Sequence, residues 1–445
     1  MKDIISVFGL GKLGVPIVAS FISKGFKIIA YDVDVNKVQA MKELRSPVFE
    51  SDVQDLLNKY NENLNVVSNG EKSVIDSSIT FVVVATPSEN DGTFSNEYVL
   101  NACEVIGKAL KEKKDYHLVV ISSTVMPQSM DKVIKPYLEK VSGKIVGVDF
   151  GLCYSPEFIA LGTVVRDFLN PDFVLIGESD PKAGEILSSI YIKVCNNNPK
   201  ISHMNFINAE ITKLAINTFI TAKISFANML LNLCDKVDGA NVDVICGTLG
   251  LDSRIGGKYL NGATSYGGPC FPRDNVALQR FAKTINANVD LAIAAHDFNS
   301  NHTKYIFDLT KSFLSNKKDS VGILGLTYKP DTNVVEESVG CLLAKKLIQD
   351  GVSVRVYDPC GMSNAKQILG DSVVYDSSAL DCIKNSQVIL LTTPWKEFAE
   401  IKTNQWLSTN LIVIDCWRIL KHLQGVKGIN YIPLGLGKIV QFLKV

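Results

Sequence analysis

The chain carries no excess of charge: Lys+Arg and Asp+Glu each number 46. Without a bulk field of one sign, neither nucleic acid nor a membrane surface is an expected partner, though a local basic pocket for a small anion stays open. Histidine is scarce, at five, and the ten cysteines are scattered from Cys103 to Cys416 with no CxxC pair. A structural zinc site and a disulfide framework are therefore not expected, no metal is assigned, and a reducing cytoplasm fits best. The opening MKDIISVFGLGKLG lacks a charged leader followed by an apolar core and a small-residue cleavage site, so secretion is not expected. No run of about eighteen apolar residues occurs, which argues against a membrane span. What remains is an ordinary globular composition, 46% hydrophobic and 21% charged. At 445 residues it exceeds what one hydrophobic core usually organises, so two or three domains are expected.

The first motif present is strand, glycine turn, helix, strand: IISVFG, GLGKLG, VPIVASFISKG, FKIIAYDVD. Gly9, Gly11 and Gly14 form GxGxxG between an apolar β-run and a helix. There the first glycine permits a tight turn, the second lets backbone approach a pyrophosphate, and the third lets helix pack on strand. Asp32 closes the second strand eighteen residues after Gly14, where an acid binds the ribose hydroxyls of NAD and repels the 2′-phosphate of NADP. Lys37 is placed with these cofactor residues. Further strands at ITFVVVATPS (79–88) and YHLVVISSTVMP (116–127) end in hydroxyls and proline, as the carboxyl edge of a parallel sheet does. Thr86 and Thr124 are candidates there for the nicotinamide ribose and the reacting centre.

The same order recurs in DSVGILGLTYKP (319–330), VSVRVYDP (352–359), SQVILLTTP (386–394) and NLIVIDCWR (410–418), which predicts a second doubly wound α/β domain. Between the two, residues 205–238 contain no Gly or Pro and are mostly apolar, predicting one long helix. Such a helix serves as a spine between domains and as a surface for a second copy of the chain. Lys213 and Asn217, four apart, share one of its faces. The expected fold is α/β, with two doubly wound Rossmann-like domains joined by a long central helix and a helical dimerisation region. The domain boundaries are 1–200 for cofactor binding, 201–303 for the central helical part with the cysteine loop, and 304–445 for sugar binding.

The stretch GGPCFPRDN (267–275) sets Cys270 among glycines and prolines beside Arg273 and Asp274, and it reads as a stiff loop. A structural cysteine normally sits in an apolar run, so this placement points to chemistry. With PEF at Glu157, EITKLAIN at Lys213 and Asn217, SRIGGKYL at Arg254, and TYKPDT at Lys329, the chain resembles the UDP-glucose/GDP-mannose dehydrogenase family from Gly9 to Arg418. The resemblance implies NAD-dependent oxidation of the C6 hydroxymethyl group of a nucleotide sugar to a carboxylate, in two hydride transfers. Cys270 is the matching nucleophile, holding the aldehyde as a thiohemiacetal and then as a thioester. Asp274 matches the carboxylate that orients water, Lys213 and Asn217 the groups that stabilise oxyanions, Thr124 a water-placing residue, and Glu157 the acid of thioester hydrolysis. Arg254 resembles an arginine that reaches a neighbouring subunit's sugar, implying a homodimer or larger. Lys329 and Arg418 resemble cations near the sugar and its phosphates, and Tyr259 and Gly267 complete the substrate set. Arg273 is assigned to a cofactor or substrate oxygen, with an ion pair to Asp274 as the alternative.

Two positions depart from the family pattern: Leu161 stands where a second Glu is frequent, and Glu336 where an arginine is frequent. UDP-glucose is the expected substrate, with UDP-N-acetylhexosamine or GDP-mannose as alternatives. A non-catalytic nucleotide-sugar sensor is the reading from another class, and it has no need of Cys270. A β-hydroxyacid dehydrogenase shares the first domain and the long helix but has no use for the cysteine loop.

Overall fold

Strands apolar on both faces are built to lie between two layers of helices in a parallel sheet. The computed structural model bears this out over the residues it describes, 4–314, 319–406 and 410–437. Residues 1–3, 315–318, 407–409 and 438–445 of the assigned domains lie outside them. The first sheet contains β1 (Ile4–Phe8), β2 (Lys27–Tyr31), β3 (Leu64–Val67), β4 (Ile79–Val82), β5 (Leu118–Ile121), β6 (Gly151–Tyr154), β7 (Phe173–Glu178) and β8 (Lys200–Met204), in the order β3-β2-β1-β4-β5-β6-β7-β8. Pairing is parallel except between β6 and β7. Ile5, Val7, Ile79, Phe81, Leu118 and Val120 face one apolar cluster, while Phe8, Val82, Val119 and Ile121 face another. Strand order reverses between β1 and β4, and a crevice outside the carboxyl ends of such strands is where ligands bind.

The second sheet repeats this plan with β9 (Ser320–Leu324), β10 (Ser353–Tyr357), β11 (Val374–Tyr375), β12 (Val388–Leu391), β13 (Leu411–Asp415) and β14 (Ile429–Pro433), in the order β11-β10-β9-β12-β13-β14. By internal contacts the chain divides into two compact units, Met1–Ala215 and Ile216–Val445. The division falls within one helix of 29 residues, Phe206–Cys234.

Two expectations, on the strand ends and on the cysteine loop, are corrected. Strands β4 and β5 stop at Val82 and Ile121, well before the hydroxyl-rich ends assigned to them, which form loops. Phe206–Cys234 is long and apolar enough, by length and composition, to cross a bilayer, although no uninterrupted apolar run flags it. Its Glu210, Lys213, Asn217 and Asn228 are nevertheless buried polar groups, which a lipid-facing helix would not carry. Finally, the stiff loop at 267–275 ends at Cys270, because a helix spans Phe271–Thr284. Pro272 falls in its first turn, where the missing N–H costs nothing, and Asp274 N donates to Cys270 O at 2.8 Å.

Candidate active site

The glycine turn after β1 is a close-packed cradle. A Cβ on Gly9 (φ +104°) would lie 2.3 Å from Val83 O, and one on Gly14 1.9 Å from Gly9 O, while beside Gly11 the space is open. The helix that follows, Gly14–Ser23, has no side-chain cap, and a helix N-terminus favours an anion beside it. Asp32 Oδ2 accepts from Leu10 N at 2.6 Å and Oδ1 from Asp34 N at 2.8 Å. Lys37 Nζ lies 3.5 Å from Asp32 Oδ2, so Lys37 holds the acid rather than standing apart from it. These residues fit a dinucleotide: an open glycine, an uncapped helix start and an acid at the end of β2.

The second sheet has the same frame without the cradle. Gly325 (φ +107°) matches Gly9, and a Cβ on Gly340 would lie 2.1 Å from Gly325 O, as Gly14 does against Gly9. Yet these two glycines are fifteen residues apart where Gly9 and Gly14 are five apart, and the excursion 326–338 fills the turn. Ser338 caps the following helix by accepting from Cys341 N. Asp358, at the end of β10, is buried and accepts from Leu326 N, Thr327 N, Thr327 Oγ1, Trp395 Nε1, Cys360 N and Gly361 N. An acid so committed has no lone pair for ribose. Among the described residues, the dinucleotide site is offered by the first sheet.

In the first unit, Glu157 follows β6 and is half-buried. Burial pushes its carboxyl up to about 7, against the lowering effects of a hydrogen bond from Tyr191 and the charge of Lys213. Lys213 is buried; its Nζ donates to Glu157 O at 2.7 Å and lies 4.6 Å from the Phe158 ring centroid. Thr86 Oγ1 donates to Thr124 O at 2.7 Å, tying the loops after β4 and β5 together. Two positioning residues escaped the sequence reading. Glu210, fully buried, accepts from Gln128 N and Met130 N, both at 2.7 Å, and so pins the segment after Thr124. Its spacing of three from Lys213 and seven from Asn217 was a usable signal, since all three share a helix face. Glu50 accepts from Gly162 N at 2.8 Å and Val164 N at 2.9 Å, closing the loop that carries Glu157. Nothing in sequence links positions so far apart.

In the second unit, Cys270 is exposed at the head of the helix Phe271–Thr284, and Asp274 is buried in that helix's first turn. Asn217 Nδ2 donates to Asp274 Oδ2 at 2.6 Å, and Arg273 Nε lies 3.7 Å from Asp274 Oδ1. The glycines before Cys270 serve the chain's own packing: a Cβ on Gly267 would lie 2.2 Å from Glu337 O, and one on Gly268 2.7 Å from the Tyr328 ring. Packing alone therefore requires glycine at 267, whatever its backbone meets besides. Gly268 N also donates to Glu336 O at 3.1 Å, so the segment holding the departure at Glu336 supports the cysteine loop through its backbone. Tyr259 is exposed and meets Phe271 edge-on, at 6.1 Å between centroids. Arg254 is exposed, its guanidinium held by Asp252. Lys329 is half-buried, with Nζ 6.0 Å from the Tyr328 ring centroid. Leu161, the other departure, lies half-buried in the loop after Glu157.

Arg418 requires a correction. Its side chain is buried and its N–H groups go to Asp243, Cys416 O, Leu434 O and Gly262 O at 2.6 to 3.1 Å. All five donors are committed within the protein, so it is a structural residue and no sugar contact.

Two doubly wound sheets, one with a dinucleotide cradle, define an NAD-dependent dehydrogenase, and an exposed thiol stands at the head of a helix whose first turn holds a buried carboxylate. The chain belongs to the UDP-glucose/GDP-mannose dehydrogenase family: the family's NAD binding domain matches residues 3–195, its central domain 207–301 and its UDP binding domain 322–422. It is 33% identical to UDP-glucose 6-dehydrogenase AglM of Haloferax volcanii over 424 residues, 95% of this chain and 98% of that one. It is also 33% identical to GDP-mannose 6-dehydrogenase of Pseudomonas aeruginosa over 359 residues, 80% of each chain. A UDP-glucose dehydrogenase from the hyperthermophilic archaeon Pyrobaculum islandicum superposes with a TM-score of 0.89 at 29% identity, over 98% of both chains. The protein is an oxidoreductase that uses NAD and acts on a nucleotide sugar.

Proposed function

We propose that this enzyme oxidises the C6 hydroxymethyl group of UDP-glucose to the carboxylate, giving UDP-glucuronate. The observation that carries the mechanism is the exposed Cys270 at a helix head, with the buried Asp274–Asn217 pair one turn on. The choice of UDP-glucose is supported by near full-length similarity to the Haloferax enzyme, against shorter coverage for the GDP-mannose relative. NAD held at the Gly9–Gly14 turn supplies one thing, an acceptor for the hydride in each of two oxidations. Cys270 adds its sulfur to the C6 aldehyde, forming a C–S bond and a thiohemiacetal, which is oxidised to a thioester. Helix N-termini favour negative charge, which suits a position where a thiolate adds and an oxyanion forms. Lys213 stabilises the alkoxide and oxyanion by charge, and Asn217 donates a neutral hydrogen bond. Asp274 orients water and Thr124 places it. In hydrolysis, the water oxygen bonds to the thioester carbon, a water proton passes to Glu157, and the sulfur leaves as thiolate. Arg273 contacts a cofactor or substrate oxygen, and Lys329 and Tyr259 contact the nucleotide sugar.

A panel of UDP- and GDP-sugars with NAD or NADP tests this. UDP-glucose with NAD should give two NADH per sugar, and NADP should turn over at least ~10²-fold less well, since the Asp32 carboxylate opposes a 2′-phosphate. One NADH per sugar, or preference for another sugar, would refute the assignment.

We keep 1–200, 201–303 and 304–445 as the functional parts, supported by the three family segments. We also assign a homodimer or larger, with Arg254 reaching the sugar of the second copy. Phe219, Phe226, Met229 and Leu233 of the long helix are exposed at spacings of seven, three and four, a stripe on one helical side that a second copy covers. Light scattering should give at least twice the 48.7 kDa chain mass, and a fully active monomer would sink the assignment. A reducing cytoplasm is the assigned compartment, consistent with the buried thiols Cys103, Cys153, Cys246 and Cys416.

A further inference from the structure

We propose that Tyr191 is a positioning residue for thioester hydrolysis, the middle member of a buried Ser155–Tyr191–Glu157 relay that lets Glu157 hold or release a proton without stranding a hydrogen bond. The proposal rests on the reading of Glu157 as the hydrolytic base. Glu157 stands in the loop after β6, Ser155 at the end of that strand, and Tyr191 in the helix Pro181–Val194. Tyr191 Oη lies 3.1 Å from Glu157 Oε1 and 3.0 Å from Ser155 Oγ, and Ser155 Oγ donates to Leu175 O at 2.9 Å. Ser155 and Tyr191 are both buried.

Counting protons gives the relay its meaning. With Glu157 protonated, its proton goes to Tyr191 Oη, the Tyr191 proton to Ser155 Oγ, and the Ser155 proton to the Leu175 carbonyl. With Glu157 ionised, Tyr191 turns its proton to Glu157 Oε1, and Ser155 serves Leu175 or Tyr191. Neither state strands a proton, and hydroxyl rotations alone convert one into the other. A half-buried carboxyl that must be both charged and neutral within one turnover needs such a partner, because an unsatisfied charge away from water is costly. The other titratable groups facing it are Lys213, which favours its charged form, and Cys195, a thiol pushed up to about 12. In the step itself, water supplies the oxygen of the new C–O bond and the C–S bond to Cys270 breaks. One water proton goes to Glu157, and the nascent carboxylic acid loses the other to solvent.

Glu157 acts as a base above its own pKa, which lies at about 7, so hydrolysis should rise with pH through that value. The Tyr191 hydroxyl favours the charged form, so Tyr191→Phe should move the acid limb of the turnover profile up by about one pH unit. Below the limb the rate should fall about tenfold; above it the rate should recover, with KM for sugar and NAD unchanged. The variant keeps the ring and its packing near Phe168, so thermal unfolding should be little altered. Infrared titration of the Glu157 carboxyl, with Glu157→Gln as the blank, should show the same upward shift without any turnover. A lower rate with an unmoved limb and an unmoved carboxyl titration would overturn the relay and leave Tyr191 a packing residue. If Glu157→Gln hydrolyses the thioester at the full rate, the role of Glu157 falls instead, and the infrared titration still decides whether Tyr191 governs its charge.

Discussion

Cys270→Ser is expected to lower the rate of the complete oxidation by at least ~10²-fold while NAD and nucleotide-sugar binding are retained. A serine hydroxyl is almost wholly protonated at neutral pH, and an ester is a poorer acyl donor than a thioester. The position makes the test clean, because Cys270 is exposed at the residue before the helix Phe271–Thr284. The variant should therefore fold as well as the parent. A sugar adduct on the serine should appear as added mass on the intact chain. In the parent protein, iodoacetamide should abolish activity and saturating UDP-glucose should protect it. Cys270 is exposed, Cys360 is half-buried, and the other eight cysteines are buried, so early labelling should fall chiefly on Cys270. Ordinary turnover with lowered thermal stability would return Cys270 to the packing residues and revive the sensor.

Arg418→Ala should act through stability. The guanidinium ties Asp243 to three backbone carbonyls, of Cys416, Leu434 and Gly262, within the second unit. Asp243 is partly exposed and recovers water when the arginine is lost, so the ion pair itself is the smaller part. The carbonyls lose their donors, and the space left by a long side chain adds to the cost. A loss of about 3 kcal/mol is expected, or roughly 6 to 12 °C in Tm for a unit of this size. Arg418 has φ +58°, a backbone cost that alanine bears equally, so it does not enter the difference. If Arg418 instead touched sugar, the variant would keep its Tm and raise KM. Calorimetry together with steady-state kinetics separates the two.

Much of this was legible in the sequence because it depends on neighbours along the chain. Glycine spacing after an apolar run, an acid closing the second strand, and a long stretch without Gly or Pro each carry a local physical cause. So the two sheets, the cofactor turn and the long helix follow from residues in order. The GGPCFPRD stretch likewise marks Cys270, although the start of a helix just behind it was hidden by the glycines and prolines, which also suit a first helical turn.

Tertiary structure decided what depends on residues far apart in sequence. The two glycine turns look alike as text, yet Asp32 keeps capacity for a ligand while Asp358 is used up by donors from the excursion 326–338, from its own following turn and from Trp395. Burial pushes the Glu157 carboxyl up to about 7, against the lowering hydrogen bond from Tyr191, which follows it by 34 positions. Arg418 reads as a cation for phosphate and folds into a cage of carbonyls. In each case sequence fixes the chemical group, while the free energy of that group is set by how much water it loses and which partners replace that water, and those partners meet only when the sheets and helices pack.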